Sequence, residues 1–396
     1  MGSFSCVLFY KTAEILWDKK TGAIAGLIAA FYGIFIFYDI ELLKPSLVNF
    51  LLVLTFYFFV RLWKKPEIRL WIFSGFTFTT ALLLRMHLAL VLPAIFIWIF
   101  TAFRGEYSRF RFRYFLIFCL AAMVTYNGWR MWLEKTVPNQ IGSFAESGIH
   151  FYIGNNPAAR GTYTRIENVR GSALGHTVDA RKIVEKEKKR SVTAGEVNQY
   201  WFEKGMKYIQ KNPRQWLALE FKKIFLAFNA YEVPNDENYD FTRKNSWFLS
   251  LPLISYNLIA PFGLLGIFLY REKESPITCF LIAYLGLYLL SLLLTFVTSA
   301  YRLPMHLPLI LFSAYALHVW IGFCRQGQGR EIKMTVGVFL ILFAFTNYAT
   351  FIPNYDYDLF VSKRIQNAKT NLDEFRKMEG LQTISLPQNE QQPLNR

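Results

Sequence analysis

The stretch PITCFLIAYLGLYLLSLLLTFV at residues 276–297 contains no charged side chain. A helix needs about 20 apolar residues to cross a hydrocarbon core of about 30 Å, so this stretch predicts a membrane-spanning helix. Nine similar apolar segments occur elsewhere in the chain. They cover residues 2–17, 23–38, 45–63, 70–84, 88–103, 114–133, 250–270, 307–324 and 334–352. The predicted fold class is an all-α polytopic membrane protein with about ten transmembrane helices.

The composition of the chain agrees with this fold class. Hydrophobic residues make up 53% of the 396 residues, and charged residues only 18%, against about 25% in soluble proteins. These values exclude a disordered chain, a collagen and a disulfide scaffold. The four cysteines show no CxxC or Cys/His metal spacing. We therefore predict neither a disulfide nor a zinc site.

The net charge of +16 is distributed unevenly over the turns between the apolar segments. One set of turns holds fifteen Lys and Arg residues and the alternate set only three, so the first set is predicted to be cytoplasmic. The basic excess then indicates topology and contact with membrane lipids rather than with nucleic acid. The expected location is a bacterial inner (plasma) membrane. Four regions follow: N-terminal transmembrane helices at 1–133, an extracytoplasmic segment at 134–249, C-terminal transmembrane helices at 250–352 and an extracytoplasmic tail at 353–396.

The segment 134–249 is predicted to be mainly helical. Thr193 and Glu196 have the spacing of a capping box, which predicts a helix that ends near Lys211. The Asn-Pro step that follows predicts a second, amphipathic helix at about 213–230. Its apolar face carries Leu217, Phe221, Ile224, Phe225 and Phe228, and Glu220, Lys222 and Lys223 fall on the other side. Two interpretations remain open: a helix in the membrane interface, or a helix packed on the bundle.

Two polar loops in the same segment are candidate substrate-binding sites. The first contains Asn155, Asn156 and Tyr163, and the second contains Tyr231 and Glu232. Asn and Gly favour tight turns, so a purely structural turn is one interpretation. Amides can also donate to and accept from sugar hydroxyls, which is the functional alternative.

Charged residues cluster at the predicted outer membrane face. Asp39 and Glu41 follow the second apolar segment, and the cations Lys44, Arg85 and Arg302 lie in the outer turns. Each could be a solvated helix end or a side chain that reaches the lipid headgroups. Together they suit a site for a phosphorylated lipid, in which cations bind the phosphate and a carboxylate acts as a base or metal ligand.

Several strings outside the apolar segments resemble one family of enzymes. They are FYIGNNPAARGTY at 151–163, YWFEKGMKYIQKNPRQW at 200–216, KKIFLAFNAYEVP at 222–234 and SLLLTFVTSAYRLP at 291–304. The opening at 2–47 is also similar. The resemblance, over nearly all of 2–352, is to the GT-C superfamily of glycosyltransferases. Within it, the chain is most similar to family 39, the relatives of dolichyl-phosphate-mannose protein mannosyltransferases.

The resemblance implies an integral membrane enzyme. Such enzymes transfer a sugar, with inversion, from a polyprenyl-phosphate carrier to a lipid, glycan or protein acceptor outside the cytoplasm. Asp39, with Glu41 beside it, matches an acidic position of the family, and Arg302 matches the arginine of its YR-x-P turn. Arg85 matches the arginine of an LTRP-like turn, although the string here is LLRMH. The family's general base lies in an earlier outer loop, to which no position here corresponds.

Two alternatives to an active transferase remain open at this point. The chain could be a truncated, catalytically inactive family member, which the reading frame upstream would decide. It could instead transport a lipid-linked saccharide, for which charged residues at mid-membrane and inverted repeats are expected. The sugar, the acceptor and the use of a divalent cation are left open by the sequence.

Overall fold

The computed structural model describes residues 1–41, 44–103, 105–136, 147–171, 175–234, 238–270 and 275–348. Within these residues the chain forms sixteen α-helices and no strand, which confirms the all-α fold class. The helices are α1 (Gly2–Leu16), α2 (Lys19–Ala30), α3 (Gly33–Ile40), α4 (Lys44–Lys64), α5 (Ile68–Leu84), α6 (Leu92–Ala102), α7 (Arg111–Thr136), α8 (Ser147–Gly154), α9 (Ala180–Lys188), α10 (Ala194–Lys211), α11 (Pro213–Phe228), α12 (Tyr239–Asn245), α13 (Tyr256–Leu269), α14 (Pro276–Leu293), α15 (Ser299–Arg325) and α16 (Gly329–Asn347).

Residues Met1–Tyr348 form one compact unit. The second unit, Ala349–Arg396, contains the predicted tail and lies outside the described residues. In the described part of the chain, three helices are long and apolar enough to cross a membrane, namely α4, α14 and α15. Shorter apolar helices lie at Ile68–Leu84, Met86–Ala102 and Tyr256–Leu269. Each of the ten predicted apolar segments contains helix, and the molecule is an integral membrane protein.

The predicted segment 23–38 is two helices rather than one. The chain breaks between α2 and α3, where the Gly33 N–H donates to the Ile254 carbonyl at 3.0 Å. The Ile254 N–H in turn donates to the Phe31 carbonyl at 2.9 Å. Tyr32, between these bonds, is fully buried. The break is therefore stable because protein, not lipid, supplies the hydrogen bonds that the interrupted helix lacks.

Helix α15 begins at Ser299, eight residues before the apolar segment predicted at 307–324. The Thr298 side chain caps it by accepting the Tyr301 N–H at 3.3 Å. Pro304 lies inside the helix and has no N–H to donate to the Ala300 carbonyl. The Arg85 Nη1 group donates to that carbonyl instead, at 2.9 Å. A proline that resembled a turn signal is thus tolerated within a helix.

Helices α13 and α15 pack closely at the centre of the unit. A Cβ atom at Gly266 would overlap the Phe312 carbonyl, so only glycine permits this approach of the two backbones. Pro261 inside α13 leaves the Asn257 carbonyl without its helical donor. The Asn347 side-chain amide of α16 donates to it at 3.2 Å. The Asn347 amide therefore satisfies the carbonyl that Pro261 leaves free and links α16 to α13.

The predicted helices of the 134–249 segment are present. The capping box of Thr193 and Glu196 opens α10, which ends at Lys211 as predicted. Helix α11 follows directly, with Pro213 as its first residue. At Gly154, the end of α8, a Cβ atom would overlap the Thr295 carbonyl. This part of the chain therefore packs directly on the loop between α14 and α15.

Candidate functional site

A cavity of about 400 Å³ lies between the start of α1, the ends of α2 and α3, and the start of α4. Leu303 of α15 closes one side of it. Most of the wall is apolar, with a few polar side chains. Those polar side chains are Ser3, Ser5, Tyr38, Asp39, Ser46 and Asn49.

Asp39 is the carboxylate in the cavity wall. It is half-buried and accepts a hydrogen bond from the Ser46 hydroxyl. Gly2 lies so close that a Cβ atom there would overlap the carboxylate. The buried Asn49 Oδ1 atom has no hydrogen-bond partner among the described residues. The wall therefore offers a carboxylate and an amide oxygen, both able to accept hydrogen bonds from hydroxyl groups.

Glu41 and Lys44 lie just beyond this wall. Glu41 is half-buried and follows the last residue of α3, and Lys44 is exposed at the start of α4. The cavity lining found among the described residues includes neither of them. Of the two predicted catalytic carboxylates, the structure brings only Asp39 into the cavity.

Arg85 is buried at the end of α5, with 7% of its surface exposed. Its Nη1 group donates to the Ala300 carbonyl at 2.9 Å, and its guanidinium lies 4.7 Å from the centroid of the Tyr301 ring. In the described part of the chain no carboxylate forms an ion pair with Arg85, and its Nε–H has no acceptor. A buried cation without a counter-ion is costly, so it is unusual in a purely structural role.

Arg302, by contrast, has a carboxylate and backbone carbonyls as partners of its Nη groups, although its Nε–H, like that of Arg85, has no acceptor among the described residues. It is fully buried, and its Nη2 group lies 2.9 Å from an oxygen of the buried Glu232 carboxylate. The same group donates to the Tyr231 carbonyl at 2.9 Å, and Nη1 donates to the Asn229 carbonyl. The guanidinium also lies 4.3 Å from the Tyr256 ring centroid. Burial raises the pKa of Glu232, while the guanidinium acts in the opposite direction.

Contacts at the start of α15 link the cavity wall to the two arginines. The Tyr38 hydroxyl in the cavity wall is 2.9 Å from the Ser299 hydroxyl. Arg85 binds the carbonyl of the next residue, Ala300, and Arg302 follows two residues later. Residues predicted from three distant stretches of sequence are thus gathered around one helix terminus.

Asn155 and Asn156 have their amide groups occupied by protein. The Asn155 amide nitrogen donates to the Leu294 carbonyl at 2.9 Å, and its oxygen accepts the Trp216 indole N–H at 3.0 Å. The Asn156 oxygen accepts the Ala158 N–H at 2.8 Å, which closes a local turn. These contacts favour the structural interpretation of the loop over direct contact with a sugar.

A cluster of histidines and aromatic rings lies beside Arg85 and was not foreseen. The rings of His87 and Tyr301 are 5.0 Å apart, and those of His150 and His176 are 5.2 Å apart. Tyr163, a predicted substrate contact, pairs its hydroxyl with His176 at 2.9 Å. Burial lowers the pKa of His150 to about 3. The sequence spacing carries no signal of this cluster, since it depends on tertiary packing.

Within the described residues no group of three or more His, Cys, Asp or Glu side chains could hold a metal ion. The arrangement is instead a mostly apolar cavity with one carboxylate in its wall, linked through the start of α15 to two buried arginines. Chemically, the carboxylate and amide oxygens of the wall can accept hydrogen bonds from hydroxyl groups, and a guanidinium can bind a phosphate.

Comparison with known proteins finds a family match over part of the chain. Residues 1–132, a third of the chain, match the family model for dolichyl-phosphate-mannose-protein mannosyltransferase. The match supports the assignment as a membrane glycosyltransferase of the GT-C type. No curated protein and no solved structure matches the chain. The matched region contains Asp39, Arg85 and every residue of the cavity wall except Leu303.

Proposed function

We propose that the protein transfers a sugar from a polyprenyl-phosphate carrier to an acceptor outside the cytoplasm. The family match over residues 1–132 supports a donor of this kind. The proposed setting is a bacterial inner membrane, with the 134–249 segment on the extracytoplasmic side. The observation that carries the proposal is Arg85, a buried cation without a carboxylate partner among the described residues, next to a cavity that contains Asp39.

Arg85 is the proposed contact for the donor phosphate. An arginine and a phosphate form charge-assisted hydrogen bonds, and the ligand would supply the counter-ion that Arg85 lacks. The Nε–H has no acceptor and is thus free to donate to a phosphate oxygen. Lys44, exposed at the start of α4, is a second candidate contact at the outer edge.

Asp39 is the proposed catalytic carboxylate, with Glu41 beside it to bind or orient the acceptor. In an inverting transfer, the acceptor oxygen forms a bond to the anomeric carbon as the bond from that carbon to the phosphate oxygen breaks. The phosphate leaves with the electron pair, and the acceptor hydroxyl gives its proton to a base. A carboxylate in the cavity wall can accept this proton or orient the hydroxyl.

Arg302 has a different proposed role. Both of its Nη groups are occupied by Glu232 and by backbone carbonyls, so a phosphate would have to displace these partners. We propose that it positions the segment containing Tyr231 and Glu232 at the edge of the site. Phosphate binding through Arg302 then depends on opening of that segment.

The experiment uses undecaprenyl phosphate as the probe and the full chain in lipid nanodiscs. Arg85→Gln should weaken binding about tenfold or more, because a charge-assisted hydrogen bond contributes about 1.5–3 kcal/mol. Arg85→Lys should lose less, since the charge remains. The matched control is Arg61→Gln, in the last turn of α4, at the end of that helix opposite to Lys44. This variant should bind undecaprenyl phosphate normally. Equal binding by Arg85→Gln and the unsubstituted chain refutes the assignment of the phosphate contact.

A second arm tests the carboxylate. Asp39→Asn should leave binding of undecaprenyl phosphate within about twofold but abolish sugar transfer from a polyprenyl-phosphate hexose. Undecaprenol, which lacks the phosphate, should bind Arg85→Gln and the unsubstituted chain equally. Transfer that persists in Asp39→Asn would exclude Asp39 as the base.

A further inference from the structure

Helix α11 exposes apolar side chains and turns a charged pair inward, which is the reverse of a surface helix that faces water. Its most exposed large side chains are Leu217, Phe221 and Phe225, and 63% of the Phe221 surface is exposed. The charged pair faces inward: Lys223 is fully buried and its ammonium lies 2.7 Å from the Glu220 carboxylate. An amphipathic helix at a protein surface normally buries its apolar face. The medium outside α11 must therefore be at least partly apolar.

The inner side of α11 is fastened to the ends of two candidate spans. The Lys223 ammonium donates to the carbonyl of Leu293, the last residue of α14, at 2.6 Å. Arg302, in the first turn of α15, donates to the Leu226 carbonyl at 3.2 Å. Helix ends of this kind lie where a span leaves the hydrocarbon core. The contacts therefore put α11 at the depth of the membrane surface.

The exposed charge of α11 is positive. Arg214 and Lys222 are exposed, whereas the helix's one acidic residue, Glu220, is paired with Lys223 on the inner side. Lys211, just before the helix, is also exposed and adds to this charge. Basic residues beside apolar ones on an exposed helix face are complementary to an anionic lipid surface.

We propose that α11 lies in the membrane interface and binds anionic lipid. Leu217, Phe221 and Phe225 enter the boundary between headgroups and acyl chains, and Arg214 and Lys222 contact the headgroup phosphates. This resolves the two interpretations of the helix, since it both packs on the bundle and contacts lipid. The inference rests on the spans α14 and α15 and does not depend on the proposed transferase activity.

The depth of the helix is measured with a nitroxide label at Phe221→Cys. The four native cysteines are first replaced by serine or alanine, and the full chain is placed in phosphatidylcholine vesicles with 30% phosphatidylglycerol. The label should be accessible to oxygen and shielded from a water-soluble nickel chelate. The control is Glu203→Cys, an exposed position on α10, which should show the reverse. Nickel access at 221 equal to that at 203 overturns the proposal, as does dipolar broadening, which would indicate a second copy of the chain.

The lipid preference is measured separately in nanodiscs that contain both lipids. The ratio of phosphatidylglycerol to phosphatidylcholine retained by the protein is read by native mass spectrometry. Arg214→Gln and Lys222→Gln should each lower this ratio about fivefold. Lys186→Gln, which removes an exposed lysine from α9, should leave it unchanged. An equal fall in all three variants would show an effect of net charge alone and would overturn the proposal.

Discussion

Glu232→Gln tests the buried ion pair that holds α15 to the segment after α11. The substitution keeps the size of the side chain but leaves the fully buried Arg302 without a counter-ion. Removing one partner of a buried pair costs about 3–5 kcal/mol. Arg302 retains its backbone carbonyls and the Tyr256 ring, so we expect the lower end of that range. A loss of about 3 kcal/mol is a change of roughly 150-fold in the unfolding equilibrium.

The assay is reversible unfolding of the full chain in mixed micelles, followed by tryptophan fluorescence as the SDS fraction rises. Glu203→Gln, an exposed acid on α10, serves as the control and should change the free energy by less than about 0.5 kcal/mol. Replacing both partners, with Arg302→Met and Glu232→Gln together, should cost less than the sum of the single changes. If Glu232→Gln costs under about 1 kcal/mol, or the double variant shows no coupling, the pair does not hold these elements together.

Three further predictions concern the 134–249 segment. Gly154→Ala should lower the free energy of unfolding by about 1–3 kcal/mol in the same assay, because its Cβ would overlap the Thr295 carbonyl; a gain in stability, as helix propensity alone predicts, would contradict the packing. Asn155→Ala should destabilise by about 2–3 kcal/mol through the hydrogen bonds it loses; a stable variant with weakened substrate binding would instead support the substrate-contact interpretation. The hydrogen bond from Arg190 lowers the pKa of Glu196 to about 2. This carboxylate therefore stabilises the start of α10 above pH 4.5, and the effect is lost as the pH falls toward 2. Amide exchange at α10 should rise over that range in the unsubstituted chain but not in Glu196→Gln.

The helices were predictable because their signals are local. A run of about 20 apolar residues has few alternatives to a membrane helix, and the capping box of Thr193 and Glu196 depends on four neighbouring residues. The break at Tyr32 could not be predicted, since the residue that stabilises it is Ile254. The start of α15 was placed too late for a similar reason. Its Pro304 is tolerated only because Arg85, distant in sequence, binds the carbonyl that the proline leaves free.

The charged residues of the candidate site were predicted from the sequence, but their partners in the structure were not. Charged residue types at the outer face singled out Asp39, Arg85 and Arg302, and the polar loop after the second helix of the 134–249 segment singled out Glu232. Nothing in the sequence distinguishes Arg302, which is paired, from Arg85, which has no carboxylate partner within the described residues. The distinction arises from tertiary packing, since the loop after α11 places Glu232 against the Arg302 guanidinium. The roles of these residues stay predictions, although the positions of their side chains now suggest which experiment tests each one.

Because the chain breaks between α2 and α3, a tilt of the short helix α3 about its first residue moves the residues at its other end. Its first residue, Gly33, is tied to Ile254, and Asp39 lies six residues further along the helix, about 9 Å away at 1.5 Å per residue. A tilt of about 6° at this joint moves the carboxylate by about 1 Å. A displacement of that size can change a reaction rate a hundredfold. The backbone before α13, through its hydrogen bond to Gly33, therefore helps to fix the direction of α3 and with it the position of the Asp39 carboxylate.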